Sequence, residues 1–75
     1  MLARETTFDI LGRYLETFVM VKLKSGKRLK GVLKSYDQHL NLILNEAEEM
    51  GEEGPRRLGM VLVRGDTVVV ISPAK

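Results

Sequence analysis

The last third of this chain carries two apolar segments that do not alternate as half-buried strands do. Leu58–Val63 is interrupted only by Gly59, and Val68–Ile71 is apolar throughout. Strands with this pattern need burial on both faces. A chain of 75 residues has a small core and cannot cover both. We therefore expect strand edges that pair between copies, closing into a ring or extending as a fibre.

The composition removes other ways to stabilise so small a fold. There is no cysteine and only one histidine, so disulfides are excluded and a structural metal site lacks ligands. No apolar run approaches the about 18 residues that span a bilayer, and the first residues lack the apolar core of a signal peptide. We expect a single domain over residues 1–75, without cofactor or membrane contact, cytoplasmic and self-associating.

Periodicity predicts one helix followed by strands. Apolar residues at helical spacing between Phe8 and Phe18 predict an amphipathic helix over about residues 6–15. Alternating residues on either side of a Ser25-Gly26 turn then predict a hairpin. Gly31 lies inside its second strand, where glycine allows a sharp bend or a close backbone approach. The sequence thus predicts a mostly β protein whose sheet curls into a barrel.

Three more strands follow the hairpin. The third is predicted over about residues 40–46 and the fourth over about 57–63, with a flexible acidic loop over about 47–56 between them. The fifth, 67–71, returns after Gly65-Asp66, a dipeptide suited to a two-residue hairpin turn with positive φ. The last two strands are therefore expected to form a hairpin.

The middle of the chain divides into a basic and an acidic block. Six lysines and arginines with no acidic residue lie between 22 and 34, and five glutamates with no basic residue lie between 46 and 53. The basic block either attracts phosphates or forms the solvated face of a strand. Taken alone, the block favours the solvated face.

Two short polar segments, Asp37–Asn41 and Arg64–Asp66, concentrate the residues that could bind a ligand. His39 and Asn41 share one side of the third strand, opposite its leucines. If the two segments meet, the guanidinium of Arg64 could cover a base stacked on His39, while Asn41 contacts the base edge. Each residue singly is a common turn former, and their joint occurrence favours binding of an unstacked nucleic-acid base.

The amide of Asn41 alone does not separate uracil from cytosine, because a flipped amide suits either base. Our hypothesis is that the carboxylate of Asp66 accepts a hydrogen bond from the Asn41 side-chain NH₂ and so orients the amide for uracil. Selection of uracil would then depend on Asp66.

These residues belong to a wider pattern. The chain resembles the Sm-like (Lsm) family of archaeal type, with a first motif over about 19–46 and a second over about 57–72. The matching positions are Val21-x-Leu23-x-x-Gly26-x-x-x-x-Gly31-x-Leu33-x-x-x-Asp37-x-x-x-Asn41-Leu42-x-Leu44 and Val63-Arg64-Gly65-Asp66-x-Val68. Val63 stands where isoleucine is more usual, and several eukaryotic relatives carry another residue at His39.

The resemblance implies a fold, an assembly and a ligand. The fold is an N-terminal α-helix on a strongly bent five-stranded antiparallel barrel. The resemblance also implies a homo-oligomeric ring, usually of seven copies, in which the fourth strand of one copy pairs with the fifth strand of the next. It further implies binding of uridine-rich single-stranded RNA at the central pore, a role in RNA processing or metabolism, and other RNA-processing proteins as partners. By motif position, His39 and Arg64 sandwich the base, Asn41 reads it, Asp66 supports Asn41 beside Gly65, and Asp37 shapes its loop.

Two other classes of function stay open. A small basic barrel could be a DNA-binding architectural protein, although Tyr36 is the only aromatic residue close to the basic segment. A ring could also be purely structural and bind proteins. An enzyme is the weaker alternative, because His39 has Asp37 nearby but no serine, and the glutamates have no apolar surroundings.

Overall fold

The computed structural model of the protein describes residues 7–74, which form one short helix and one five-stranded sheet. The elements are α1 (Thr7–Gly12), β1 (Phe18–Leu23), β2 (Arg28–Tyr36), β3 (Leu42–Gly51), β4 (Gly54–Val63), a 3₁₀ turn (Gly65–Thr67) and β5 (Val68–Pro73). The sheet order is β4-β3-β2-β1-β5, and each neighbouring pair is antiparallel. The predicted mostly β fold is confirmed. Within residues 7–74, no helix has the length and apolar character needed to cross a membrane.

The sheet bends around a core that lies on one of its faces, here called the inner face. Among helix residues 8–12, only Leu11 is buried, at 3% exposure, whereas Phe8 and Ile10 are 43% and 39% exposed. The five completely buried side chains come from the first three strands: Val19, Val21, Leu33, Leu42 and Leu44. Alternation in β1, β2 and β3 thus sets the core, and the opposite, outer face carries charged residues of β1 and β2 together with Phe18 and Met20.

The helix is shorter than the predicted 6–15, and residue 6 lies outside the described residues. It ends at Gly12, and Glu16 adopts a positive φ of 66°. The backbones of Glu16 and Thr17 exchange hydrogen bonds with Leu33 of β2, at 2.8 and 3.0 Å. Because these bonds draw the chain into the sheet, the helical spacing that continues through Phe18 does not become helix.

Gly31 lies at a close approach between β2 and β3, as its position inside a strand predicted. A Cβ atom there would be 3.0 Å from the carbonyl oxygen of Asn45 and 3.1 Å from the Cα of Ala47. The β2–β3 register shifts beside it, between Lys30 and Val32. A bulge of this kind increases twist and bends the strand, so the absence of a side chain at Gly31 lets β3 cross close to β2.

We expect Gly31→Val to lower the free energy of unfolding by about 1–3 kcal/mol, because the added carbons overlap backbone atoms of β3. The urea midpoint followed by circular dichroism at one fixed protein concentration measures this change. Gly51→Val is the matched control, since a Cβ atom at Gly51 meets only Gly54, at an ordinary 3.7 Å. Equal midpoints for the two variants would contradict the close approach.

The predicted acidic loop over 47–56 is wrong, because most of that segment is strand. β3 and β4 form one long hairpin in which Gly51 pairs with Gly54 and only Glu52 and Glu53 lie in the turn. Gly54 has a φ of 107°, a conformation that glycine adopts readily. The sheet therefore extends well beyond the core.

Opposite charges face each other across the two strands of this hairpin and favour their pairing. Glu48 is paired with Arg57, and Glu49 with Arg56. Opposite charges on directly facing positions stabilise an antiparallel pair. The arginines that follow the acidic block along the chain become its neighbours only once the chain has turned.

The last two strands do not form the predicted hairpin with each other. Gly65 has no positive φ and begins a 3₁₀ turn, in which the backbone N–H and the Oγ1 hydroxyl of Thr67 both donate to the carbonyl of Arg64, at 3.0 and 2.6 Å. The carbonyl of Thr67 then accepts from the N–H of Lys24 at 2.8 Å, which brings β5 beside β1. The 3₁₀ turn thus carries the chain from one edge of the sheet to the other.

Both edges of the sheet expose apolar side chains. On β4, Met60 and Leu62 are 68% and 69% exposed, and on β5, Val69 and Val70 are 55% and 47% exposed. Edge strands with apolar side chains and unpaired backbone groups are templates for pairing with another chain. This single chain leaves uncovered the surfaces that the sequence predicted would pair between copies.

Candidate functional site

The loop between β2 and β3 is organised by the carboxylate of Asp37. Its Oδ1 accepts hydrogen bonds from the backbone N–H groups of His39 and Asn41, at 2.9 and 3.0 Å, and its Oδ2 accepts from Nδ2 of Asn41 at 3.0 Å. Backbone bonds from Leu40 to Asp37 and from Asp37 to Asn41 close the loop. Leu40 has a positive φ of 63°, which turns the chain sharply between His39 and Asn41.

These hydrogen bonds act on the charge of Asp37. They hold the pKa of its carboxyl group below the ordinary value of 3.8, with the Asn41 side chain as the largest cause, followed by the Asn41 backbone. A carboxyl group with a lowered pKa in the folded state stabilises that state above its unfolded pKa, and the contribution is lost as the pH falls through the folded value. Asp37 is therefore ionised, and the loop stays organised, throughout the neutral and mildly acidic range.

The loop between β4 and β5 meets the first loop through Gly65. Its backbone N–H donates to Oδ1 of Asn41 at 2.8 Å, and this contact is partly buried. A Cβ atom at Gly65 would overlap the carbonyl oxygen of His39 and lie 2.8 and 2.9 Å from the carbonyl carbon and oxygen of Leu40. Only glycine permits this approach, so Gly65 sets the distance between the two loops.

The orientation of the Asn41 amide follows from these partners. A backbone N–H can only donate, and an ionised carboxylate can only accept. Oδ1 therefore faces Gly65 and Nδ2 faces Asp37, and a flipped amide would place like groups against each other. One lone pair of Oδ1 and one hydrogen of Nδ2 remain for a ligand.

The hypothesis that Asp66 orients Asn41 is wrong. Asp66 instead accepts from Arg64, at 3.0 Å, and both side chains are well exposed, at 62% and 74%. The reason is local: the 3₁₀ turn keeps Asp66 beside Arg64, while Asp37 lies within the same loop as Asn41. Asp37, expected only to shape its loop, also holds the amide.

The two loops together line an open depression with a volume of about 480 Å³. Five of the six predicted site residues line it, and the sixth, Asp37, acts through Asn41 and the loop backbone. An imidazole, an amide and a guanidinium thus share one concave surface of a size typical for small ligands. The lining residues are His39, Asn41, Arg64, Gly65 and Asp66.

Sequence reasoning missed two residues that build this site. Leu40 was assigned to the strand, but its positive φ makes it the corner of the first loop. Thr67 was assigned to β5, but its hydrogen bonds to Arg64 build the second loop. A threonine three residues after Arg64 is a sequence signal for such a turn, whereas nothing in the sequence marks Leu40. Within residues 7–74 no group of three or more side chains is placed to hold a metal ion.

Comparison with known proteins gives one consistent result. The LSM domain family matches residues 9–73. An snRNP Sm-like protein of Aeropyrum pernix is 70% identical over 68 residues, which cover 91% of this chain and 88% of that protein. An snRNP Sm-like protein of Archaeoglobus fulgidus is 49% identical over 67 residues, covering 88% and 87%.

Solved structures show the same fold. The SmAP1 heptamer of P. aerophilum has a TM-score of 0.91 and 36% identity, covering 97% of this chain and 99% of that one. The Sm protein of Pyrococcus abyssii in complex with a uridine heptamer has a TM-score of 0.86 and 39% identity, covering 93% and 100%.

Proposed function

Because this chain belongs to the LSM domain family, we propose that it forms a ring of seven copies that binds uridine-rich single-stranded RNA at a central pore. The observation that carries the proposal is the fixed amide of Asn41 in a depression flanked by His39 and Arg64. Such a site suits the flat face and the polar edge of an unstacked base.

The free groups of Asn41 match uracil better than cytosine. The remaining Nδ2 hydrogen can donate to a uracil carbonyl, while the remaining Oδ1 lone pair accepts from the adjacent N3–H. Cytosine placed in the same way would set its amino group against the amide hydrogen and its N3 lone pair against Oδ1. Since Asp37 and Gly65 prevent the amide from turning, the site rejects cytosine through repulsion as well as favouring uracil through attraction.

Stacking supplies the rest of each contact. The imidazole of His39 and the guanidinium of Arg64 are planar, and both line the depression. One stacked base contributes about 1–3 kcal/mol, which is too little for useful affinity alone. Repetition of the pocket around a ring lets one strand occupy several sites, so effective concentration raises the overall affinity.

The exposed edges of the sheet allow copies of the chain to pair into a ring. Apolar side chains project from β4 at one edge and from β5 at the other, so head-to-tail pairing of copies buries both. The similar P. aerophilum protein is a heptamer. The base pocket favours RNA binding over a purely structural ring or an architectural DNA-binding protein, and we propose a non-catalytic role in the cytoplasm.

Asn41→Ala is expected to weaken heptauridine binding at least about tenfold while the ring persists, because every copy loses its base-reading amide. Fluorescence anisotropy with labelled heptauridine measures the affinity, and analytical ultracentrifugation measures the assembly. Gln38→Ala is the matched control, since Gln38 is an exposed polar residue of the same loop that does not line the depression. Unchanged binding by an intact Asn41→Ala ring would instead favour a structural ring.

A further inference from the structure

The outer face of the sheet carries a pair of like charges in direct opposition. Lys22 of β1 is paired with Arg28 of β2, and both side chains are exposed. Like charges at facing positions destabilise an antiparallel pair. On their other sides these residues face Val70 and Met50, and neither takes part in an ion pair with another residue of the described chain. The charges of this pair therefore do not stabilise the pairing of β1 with β2.

A third cation and an aromatic ring extend this surface. Lys30 follows Arg28 on the same face of β2, and its Nζ lies 6.0 Å from the ring centroid of Phe18, which is 44% exposed. The acidic neighbour of Lys30 across the strands is Glu48, which also faces Arg57. Positive charge therefore predominates. We call the surface formed by Phe18, Lys22, Arg28 and Lys30 the outer basic face.

We propose that the outer basic face is a second binding site for single-stranded RNA, separate from the depression that holds uracil. Cations that track phosphates beside an exposed ring that stacks on bases are the combination that binds single strands without sequence preference. The ring of Phe18 can stack on an unpaired base but not on the paired bases of a duplex, which favours a single strand over duplex DNA or duplex RNA.

The two sites lie at opposite ends of one strand. β2 begins at Arg28, on the outer basic face, and ends at Tyr36, directly before Asp37 of the uracil site. An RNA molecule longer than the segment bound in the uracil sites could therefore continue onto the outer basic face. The inference rests on the proposed function only in taking RNA as the ligand.

Lys22→Glu tests the proposal without weakening the fold, because it converts the repulsive pair with Arg28 into an attractive one. Three labelled RNAs are compared by anisotropy over a range of salt concentrations: heptauridine, heptauridine with a uridine-free tail of about twenty nucleotides, and the tail alone. We expect the variant to bind both tail-containing RNAs about three- to tenfold more weakly, with a shallower salt dependence. Heptauridine binding and the melting temperature should not fall.

Lys27→Glu is the matched control, because it makes the same change in net charge at an exposed lysine whose Nζ lies 3.9 Å from Glu49 rather than on the outer basic face. It should change binding of the tail less than about twofold. Equal losses of affinity for the tail in the two variants would overturn the proposal. It would also be overturned if Lys22→Glu weakened the binding of duplex DNA as much as the binding of the tail. The tail alone reports on this face even if heptauridine fails to bind, so the two proposals can fail separately.

Discussion

Gly65→Ala is expected to abolish detectable heptauridine binding and to destabilise the protein, although it adds only one methyl group. The added carbon overlaps the carbonyl oxygen of His39 and crowds the carbonyl group of Leu40, all backbone atoms that cannot rotate away. The loops must separate, and the hydrogen bond from the Gly65 N–H to Asn41 is then lost. Overpacking of this kind costs about 1–3 kcal/mol in each copy.

The measurement has two parts, because binding and assembly can fail together. Anisotropy reports heptauridine affinity, and the urea midpoint at fixed protein concentration reports stability. Gly51→Ala serves as the control, since a Cβ atom there makes only an ordinary contact of 3.7 Å. A Gly65→Ala protein that binds heptauridine normally would show that the two loops are not held together as described.

Asp37→Ala is expected to remove most of the preference for uridine over cytidine. The substitution deletes the acceptor of three hydrogen bonds, two from the backbone of the loop and one from the amide of Asn41. With only the hydrogen bond from Gly65 left to orient it, the Asn41 amide is freer to flip and so to match the edge of cytosine as well as that of uracil. We expect the ratio of the heptauridine and heptacytidine affinities to fall at least about fivefold, together with a general loss of affinity as the loop loosens.

Asp66→Ala distinguishes this mechanism from the one that the sequence suggested. Asp66 accepts from Arg64 and makes no hydrogen bond to Asn41. Its removal should therefore leave the ratio of uridine to cytidine affinity unchanged, although Arg64 loses a partner at the rim of the depression. The opposite pattern, with the ratio sensitive to Asp66 and indifferent to Asp37, would restore the original hypothesis.

Much of the fold could be predicted because it depends on local patterns. Alternation in β1 and β2 placed Val19, Val21 and Leu33 in the core, and glycine within a strand marked the close approach at Gly31. The helical spacing beyond Gly12 does not become helix, because the N–H of Glu16 donates to Leu33 of β2 and the carbonyl of Thr17 accepts from the same residue. The prediction of an acidic loop was wrong for a similar reason, because the residues that pair with this segment lie on β4, the strand that returns beside it.

The sequence by itself indicated six residues that line the depression or hold its loops, and it indicated that apolar strand edges need burial. Residue type sets what a side chain can donate, accept or stack on, and apolar residues on both faces of a strand require burial whatever the surrounding fold. All six predicted site residues contribute to the depression or to the loops that form it. The apolar side chains exposed at both sheet edges agree with the expectation that these strands need further burial.

Only the tertiary structure decided which residues act on one another. The support of Asn41 by Asp37 is local, but the hydrogen bond from the N–H of Gly65 that fixes the other side of the amide joins two loops 24 residues apart in sequence. The meeting of Lys22 with Arg28 likewise depends on strand register. Hydrogen bonds and charge pairs act over a few ångströms, and those distances exist only after the backbone has brought separate segments together.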